Sequence, residues 1–124
     1  MKKTFVDTFY IVALVNVRDE YHEKANDLVE IYDKQPLLVT DAVLLEIGNS
    51  LSRNYKQEAV EIFEEFFASP EVEIIRLDET LFDKAFEFYK NHADKTWGLV
   101  DCISFIVMKE HGITDALTCD KHFL

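Results

Sequence analysis

The sequence predicts an α/β fold, a three-layer α/β/α sandwich on a mostly parallel sheet of about four strands. Three observations predict it. Short apolar runs alternate with longer segments of helical periodicity, in the order strand, helices, strand, helices, strand, helices, strand. Glycine (three) and proline (two) are scarce, which leaves little loop and no linker. The length, 124 residues, suits one compact core, so a single domain over residues 1–124 is expected.

Each element has its own signal. Residues 3–7 read as a first short strand and residues 8–15 as a buried helix. Residues 19–34 read as an amphipathic helix, because Tyr21, Ala25, Leu28, Val29 and Tyr32 recur at helical spacing with charges between them. Pro36 stops that helix, and residues 37–40 form a second strand. Asp41 is a plausible N-cap for a helix over 42–53. Residues 57–68 form another helix, apolar at Ala59, Val60, Phe63, Phe66 and Phe67, and Ser69-Pro70 ends it. Residues 72–77 are a third strand. Asp78 caps a helix over 81–91, whose apolar line is Leu81, Phe82, Ala85, Phe88 and Tyr89. Residues 99–111 are a further helix, closed by Gly112, and residues 115–119 are the last strand. Helical crossovers between strands imply parallel pairing, and such sheets bind ligands beyond the carboxyl ends of their strands.

The charge balance is acidic. Thirteen basic and twenty-four acidic side chains give a net charge of −11. That argues against broad electrostatic binding to nucleic acid, which needs many Lys or Arg to displace counterions. It also argues against an anionic membrane surface, and leaves cations, a basic partner or plain solubility. Cys102 and Cys119 form no framework or metal-binding cluster and read as reduced, buried residues. The basic start resembles that of a signal peptide. Asp7 and Asn16 interrupt the apolar stretch behind it, however, and no small-residue cleavage site follows. No run approaches the roughly 18 apolar residues of a membrane span. A cytoplasmic protein is expected.

Most acids fall on the polar faces of amphipathic helices. Three do not. Asp7, Glu46 and Asp101 are each the only charge in the most apolar part of their segments. Burying a lone carboxylate costs several kcal/mol unless it is paired, protonated or metal-bound. Asp7 ends the first strand, Asp101 opens the helix over 99–111, and a fourth acid, Asp120, ends the last strand. Those positions lie on the side where the crevice opens, and Glu46, one turn into its helix, can reach it. Simpler roles remain open. Asp7 or Asp101 can act as an N-cap, Glu46 can pair with Arg53 or a distant Lys, and Asp120 can be exposed. Taken together, the four acids suit a hard divalent cation, Mg²⁺ or Mn²⁺, and the phosphoryl chemistry it supports. Zinc fits badly, because the four histidines are scattered.

Four segments carry a resemblance: Phe5-Val-Asp7-Thr8 with Ile11-Val-Ala-Leu14; Thr40 to Asn49; Trp97 to Met108; and Ala116 to Phe123. In this order and spacing they resemble the PIN-domain ribonucleases, especially the VapC-type toxins of VapBC toxin–antitoxin pairs. The resemblance implies a PIN-like fold and a Mg²⁺- or Mn²⁺-dependent endoribonuclease acting on single-stranded or structured RNA. It implies that Asp7 and Asp101 are the primary metal ligands, with Glu46 and Asp120 binding directly or through water. Thr8 and Thr118 match places where the family has hydroxyls near the acids, and Asn49 matches a polar position one turn beyond Glu46. The implied partners are a small antitoxin with a basic tail and a second copy of the chain. Gly98 and Val100 depart from the family, which usually has Ser or Thr there. That departure points to one alternative, a catalytically degenerate module that binds a partner protein; another Mg²⁺-dependent phosphoryl hydrolase is a separate alternative. A haloacid-dehalogenase-type phosphatase is disfavoured, because Asp7-Thr8-Phe9 lacks a second acid two residues on.

Overall fold

The structure is a computed structural model that describes residues 2–32 and 34–118. Strands β1 (Thr4–Val6), β2 (Leu37–Thr40), β3 (Val72–Ile75) and β4 (Ala116–Leu117) form one parallel sheet in the spatial order β3-β2-β1-β4. Phe5 pairs with Leu38 on one side and Ala116 on the other, and Val6 pairs with Leu117. β1 is buried along its whole length, and Leu38 to Thr40 of β2 are buried too. Continuous burial of central strands is what a parallel sheet covered on both faces requires.

Six helices make the crossovers: α1 (Thr8–Val15) and α2 (His22–Ile31), α3 (Asp41–Leu51) and α4 (Lys56–Ala68), α5 (Glu79–Asn91) and α6 (Leu99–Glu110). Side chains of α1, α2 and α4 line a groove with Val6, Leu37, Val72 and Leu117, which places these helices on one face of the sheet. α5 packs on α6, and α6 packs on α3. Among the described residues, no helix is long and apolar enough to cross a membrane.

Local chemistry explains where the elements depart from the sequence pattern. The helix expected from residue 19 begins only at His22. Asn16 Oδ1 accepts the Arg18 N–H at 3.0 Å and Asp19 Oδ1 accepts the Tyr21 N–H at 2.9 Å, and these side-chain turns compete with helix. α3 starts one residue earlier than expected, with Thr40 as its cap: Thr40 Oγ1 accepts the Val43 N–H at 3.1 Å. Asp41 instead accepts the Leu77 N–H at 2.9 Å, tying the segment after β3 to α3. Asp78 caps α5 as expected, accepting the Leu81 N–H at 2.8 Å. α5 buries Leu81 and Ala85 but leaves Phe82 and Tyr89 exposed, together with Phe86. On α4, Val60 and Phe67 are likewise exposed.

α6 ends where Gly112 adopts φ +64°, a conformation that strains residues with a Cβ. The Gly112 N–H donates to Lys109 O at 3.2 Å and the Ile113 N–H to Met108 O at 2.8 Å, the paired bonds of a Schellman motif. Ile113 is buried there, which fixes the chain's entry into β4. Cys102 is a free, fully buried core residue. Cys119 and the expected site residue Asp120 lie outside the described residues.

Candidate active site

Asp7 stands between the last residue of β1 and the first of α1, at the carboxyl edge of the sheet. Its N–H donates to Leu117 O at 3.0 Å, so the sheet ladder fixes its backbone. Its extended conformation makes it the N-cap of α1, with the Phe9 N–H donating to Oδ2 at a long 3.4 Å. The side chain is only 3% exposed. Thr118, itself buried just past β4, donates its hydroxyl to the same Oδ2 at 2.9 Å.

These surroundings pull in opposite directions. Burial, the largest influence, pushes the Asp7 carboxyl up to about 6, and the field of Asp101 adds to it. The Thr118 hydroxyl and the amides of Phe9 and Thr8 hold it down, in that order. Asp7 therefore remains mostly ionised at pH 7, at a cost of about 3 kcal/mol relative to an exposed carboxylate.

Glu46 lies half-buried on α3 and accepts the Thr8 hydroxyl at 2.7 Å on Oε1. Thr8 is the first residue of α1, so this bond joins α1 to α3 beside Asp7. Asp101 is the third residue of α6, and its Oδ2 accepts the Gly98 N–H at 3.0 Å. Gly98 has no side chain to complete a reciprocal cap, so the carboxylate satisfies the amide alone. The structure thus brings Asp7, Thr8, Glu46, Asp101 and Thr118 to one edge. Asn49 is exposed on α3, three residues beyond Glu46. Among the described residues no ion pair is formed by Glu46, so the Arg53 alternative is not the arrangement seen.

Two features of this edge were not read from the sequence. The Gly98 amide serves the third acid in place of the missing hydroxyls, and the signal was an acid three residues after a potential cap. Ser104, one turn beyond Asp101 on α6, holds a buried hydroxyl oxygen with no hydrogen-bond partner among the described residues. Cys102, next to Asp101, is no nucleophile. Burial first, and then Asp101, push its thiol up, away from the reactive thiolate.

The donor chemistry fits a hard divalent cation, because the gathered ligands are carboxylate oxygens and buried hydroxyls. Asp7 and Asp101 already repel each other, and a cation relieves that. Among the described residues no three His, Cys, Asp or Glu side chains lie close enough to share one ion. What they offer is a pair of carboxylates, with Glu46 one hydroxyl away. That suits an ion that keeps much of its water.

Comparison with known proteins agrees with this architecture. The PIN-domain family model matches residues 4–124. The chain is 31% identical over 120 residues to the 23S rRNA-specific endonuclease VapC20 of Mycobacterium tuberculosis, in the strains CDC 1551 / Oshkosh and H37Rv. The match covers 96% of this chain and 90% of the relative. The crystal structure of M. tuberculosis VapC20, described as a sarcin–ricin loop cleaving toxin, superposes with a TM-score of 0.85 at 30% identity, covering 98% of this chain and 92% of that one. A parallel β3-β2-β1-β4 sheet with acids gathered at its carboxyl edge, matched over nearly its whole length, places this chain in the PIN-domain family, among the VapC-type ribonuclease toxins.

Proposed function

We propose that this chain is a Mg²⁺- or Mn²⁺-dependent endoribonuclease whose site is Asp7, Glu46, Asp101 and Asp120. The observation that supports this best is Asp7 itself. It is a buried carboxylate, kept ionised by hydroxyl and amide donors and set within the field of Asp101, where the sheet opens. Asp7 and Asp101 would hold the ion, with Glu46 and Asp120 completing the site directly or through water. When bound, such an ion supplies an activated water and steadies the leaving oxygen of a phosphodiester.

The chain's own groups divide the remaining work. Thr118 holds the Asp7 carboxylate in its ionised form. Thr8 fixes one oxygen of Glu46 and leaves the other to take a proton from an attacking water. The Gly98 amide sets the rotamer of Asp101. The likeness to a 23S rRNA-specific, sarcin–ricin loop cleaving toxin makes a ribosomal RNA loop the first substrate to test. A small antitoxin with a basic tail suits a protein of charge −11. Pairing of two copies would cover the exposed Phe82, Phe86 and Tyr89 of α5, and the setting would be the cytoplasm.

The test is cleavage of an RNA hairpin carrying the sarcin–ricin loop, beside an unrelated single-stranded RNA, with Mg²⁺, with Mn²⁺ and with EDTA. Metal-dependent cutting by the wild type, lost in Asp7→Asn and in Asp101→Asn, is the expected result. Cutting that survives EDTA or both substitutions would overturn the proposal. Absence of cutting, with a Mn²⁺-dependent rise in melting temperature that disappears in Asp101→Asn, would favour a metal-binding module without activity.

A further inference from the structure

The acids of this site sit on elements that carry almost no positive charge. α1 and α3 contain no Lys or Arg, and α6 has only Lys109, in its last turn. Among the described residues of these helices, an RNA strand laid across Asp7, Glu46 and Asp101 finds no run of basic side chains to hold its phosphates. A neutral contact would add the grip that these helices do not supply by charge. Stacking of a nucleobase on an aromatic face is such a contact, because it needs no charge and tolerates any base.

One ring is placed for it. Phe9 is the only exposed residue of α1, at 53%, while Thr8, Tyr10 and Ile11 around it are buried. It belongs to the cap turn of the site: its N–H reaches Asp7 Oδ2, and the residue before it bonds Glu46. Phe9 is two positions on from Asp7, with only Thr8 between them, so the two Cα atoms are at most about 7 Å apart. A single exposed apolar residue is unremarkable on most surfaces. An exposed ring on the acid-bearing turn, among described helices that carry almost no cations, is a different matter.

We infer that Phe9 is the stacking platform for a nucleobase flanking the scissile phosphate, an inference that rests on the ribonuclease reading above. The ring fixes the register of the strand over the acids, and its neutrality spares the substrate further repulsion from a chain of charge −11. Because stacking reads the face of a base rather than its edges, Phe9 contributes affinity and positioning with little sequence preference.

The experiment measures kcat and KM of wild type, Phe9→Ala, Phe9→Trp and Phe67→Ala on one RNA that the wild type cuts. Phe67 is a comparably exposed ring, 55%, on α4 beneath Arg76. Phe9→Ala should raise KM by about fivefold to about 100-fold with kcat nearly unchanged, Phe9→Trp should restore it, and Phe67→Ala should behave as wild type. Replacing the flanking nucleotides one at a time by abasic sites should reproduce the loss at one position. At that position Phe9→Ala should cost nothing more. Unchanged KM in Phe9→Ala overturns the inference and leaves the ring as a contact for a protein partner. A fall in kcat alone also overturns it, because the ring would then be supporting the Asp7 turn. If the wild type cuts no RNA, the ribonuclease reading itself fails, and that result is distinct from either of these.

Discussion

Two populations of carboxylates in this molecule differ in the partners they take. Glu73, Glu87 and Glu110 are partnered by lysines, namely Lys3, Lys90 and Lys84, on half-exposed or exposed surface. Asp7 and Glu46 are partnered by threonine hydroxyls at the carboxyl edge of the sheet. Glu73 and Asp7 show the difference in protonation. The Lys3 contact draws the Glu73 carboxyl below its ordinary value, whereas burial drives Asp7 up to about 6. A lysine neutralises its partner, but a hydroxyl only solvates it, so the charge at the sheet edge stays available to a cation.

Four measurements break or sharpen that contrast. The largest expected effect is on catalysis. Asp101→Asn should lower kcat/KM for RNA by more than about 100-fold, beyond the range for groups that merely orient a ligand. Retained activity would remove the edge acids from the chemistry. The second concerns the metal-free fold. Because the folded protein holds the Asp7 proton more tightly than the unfolded chain, this group favours the fold at low pH. It becomes unfavourable as pH rises from about 4 through about 6, by about 3 kcal/mol in all. Urea unfolding in EDTA should therefore find Asp7→Asn more stable than wild type at pH 7.5 by up to about 3 kcal/mol, in a gap that closes as pH falls toward 4. A less stable variant at pH 7.5 would contradict the burial argument.

Third, Thr118→Val removes a donor from a buried carboxylate and should destabilise the protein at pH 7.5 by about 1.5–3 kcal/mol. The loss should shrink below pH 5, where Asp7 takes its own proton. Smallest is the surface. Lys84→Ala breaks an exposed ion pair with Glu110 and should cost less than about 1 kcal/mol. It should also weaken as salt is added. A cost comparable to that of Thr118→Val would erase the distinction between the two populations.

The fold was legible because its signals are local. Caps such as Asp78, the break at Pro36 and the Gly112 stop each act within one turn of chain. Asp7, Glu46 and Asp101 stood out for the same reason, as lone charges in apolar sequence. What stayed hidden is non-local. That Thr118 serves Asp7 depends on β4 lying beside β1, that Thr8 serves Glu46 depends on α1 packing against α3, and separations of 111 and 38 residues leave no trace in spacing. Helix phase was ambiguous on α5, where Leu81, Ala85 and Phe88 and also Phe82, Phe86 and Tyr89 make apolar lines at helical spacing, and packing on α6 chose the first. The late start of α2 came from two side-chain turns that compete with helix. The role of the Gly98 amide was masked because sequence comparison registers a lost hydroxyl and not the backbone donor that remains.

The bond from Thr118 to Asp7 also has a consequence in time. Chains are made from the N-terminus at about 5–20 residues per second, so roughly 6–22 s of synthesis separate Asp7 from the hydroxyl that steadies it. Until β4 docks beside β1, the first acid lacks both its partner hydroxyl and the backbone carbonyl of Leu117 that anchors it. A growing chain therefore carries Asp7 without these two partners until β4, a late-made strand, has left the ribosome and docked.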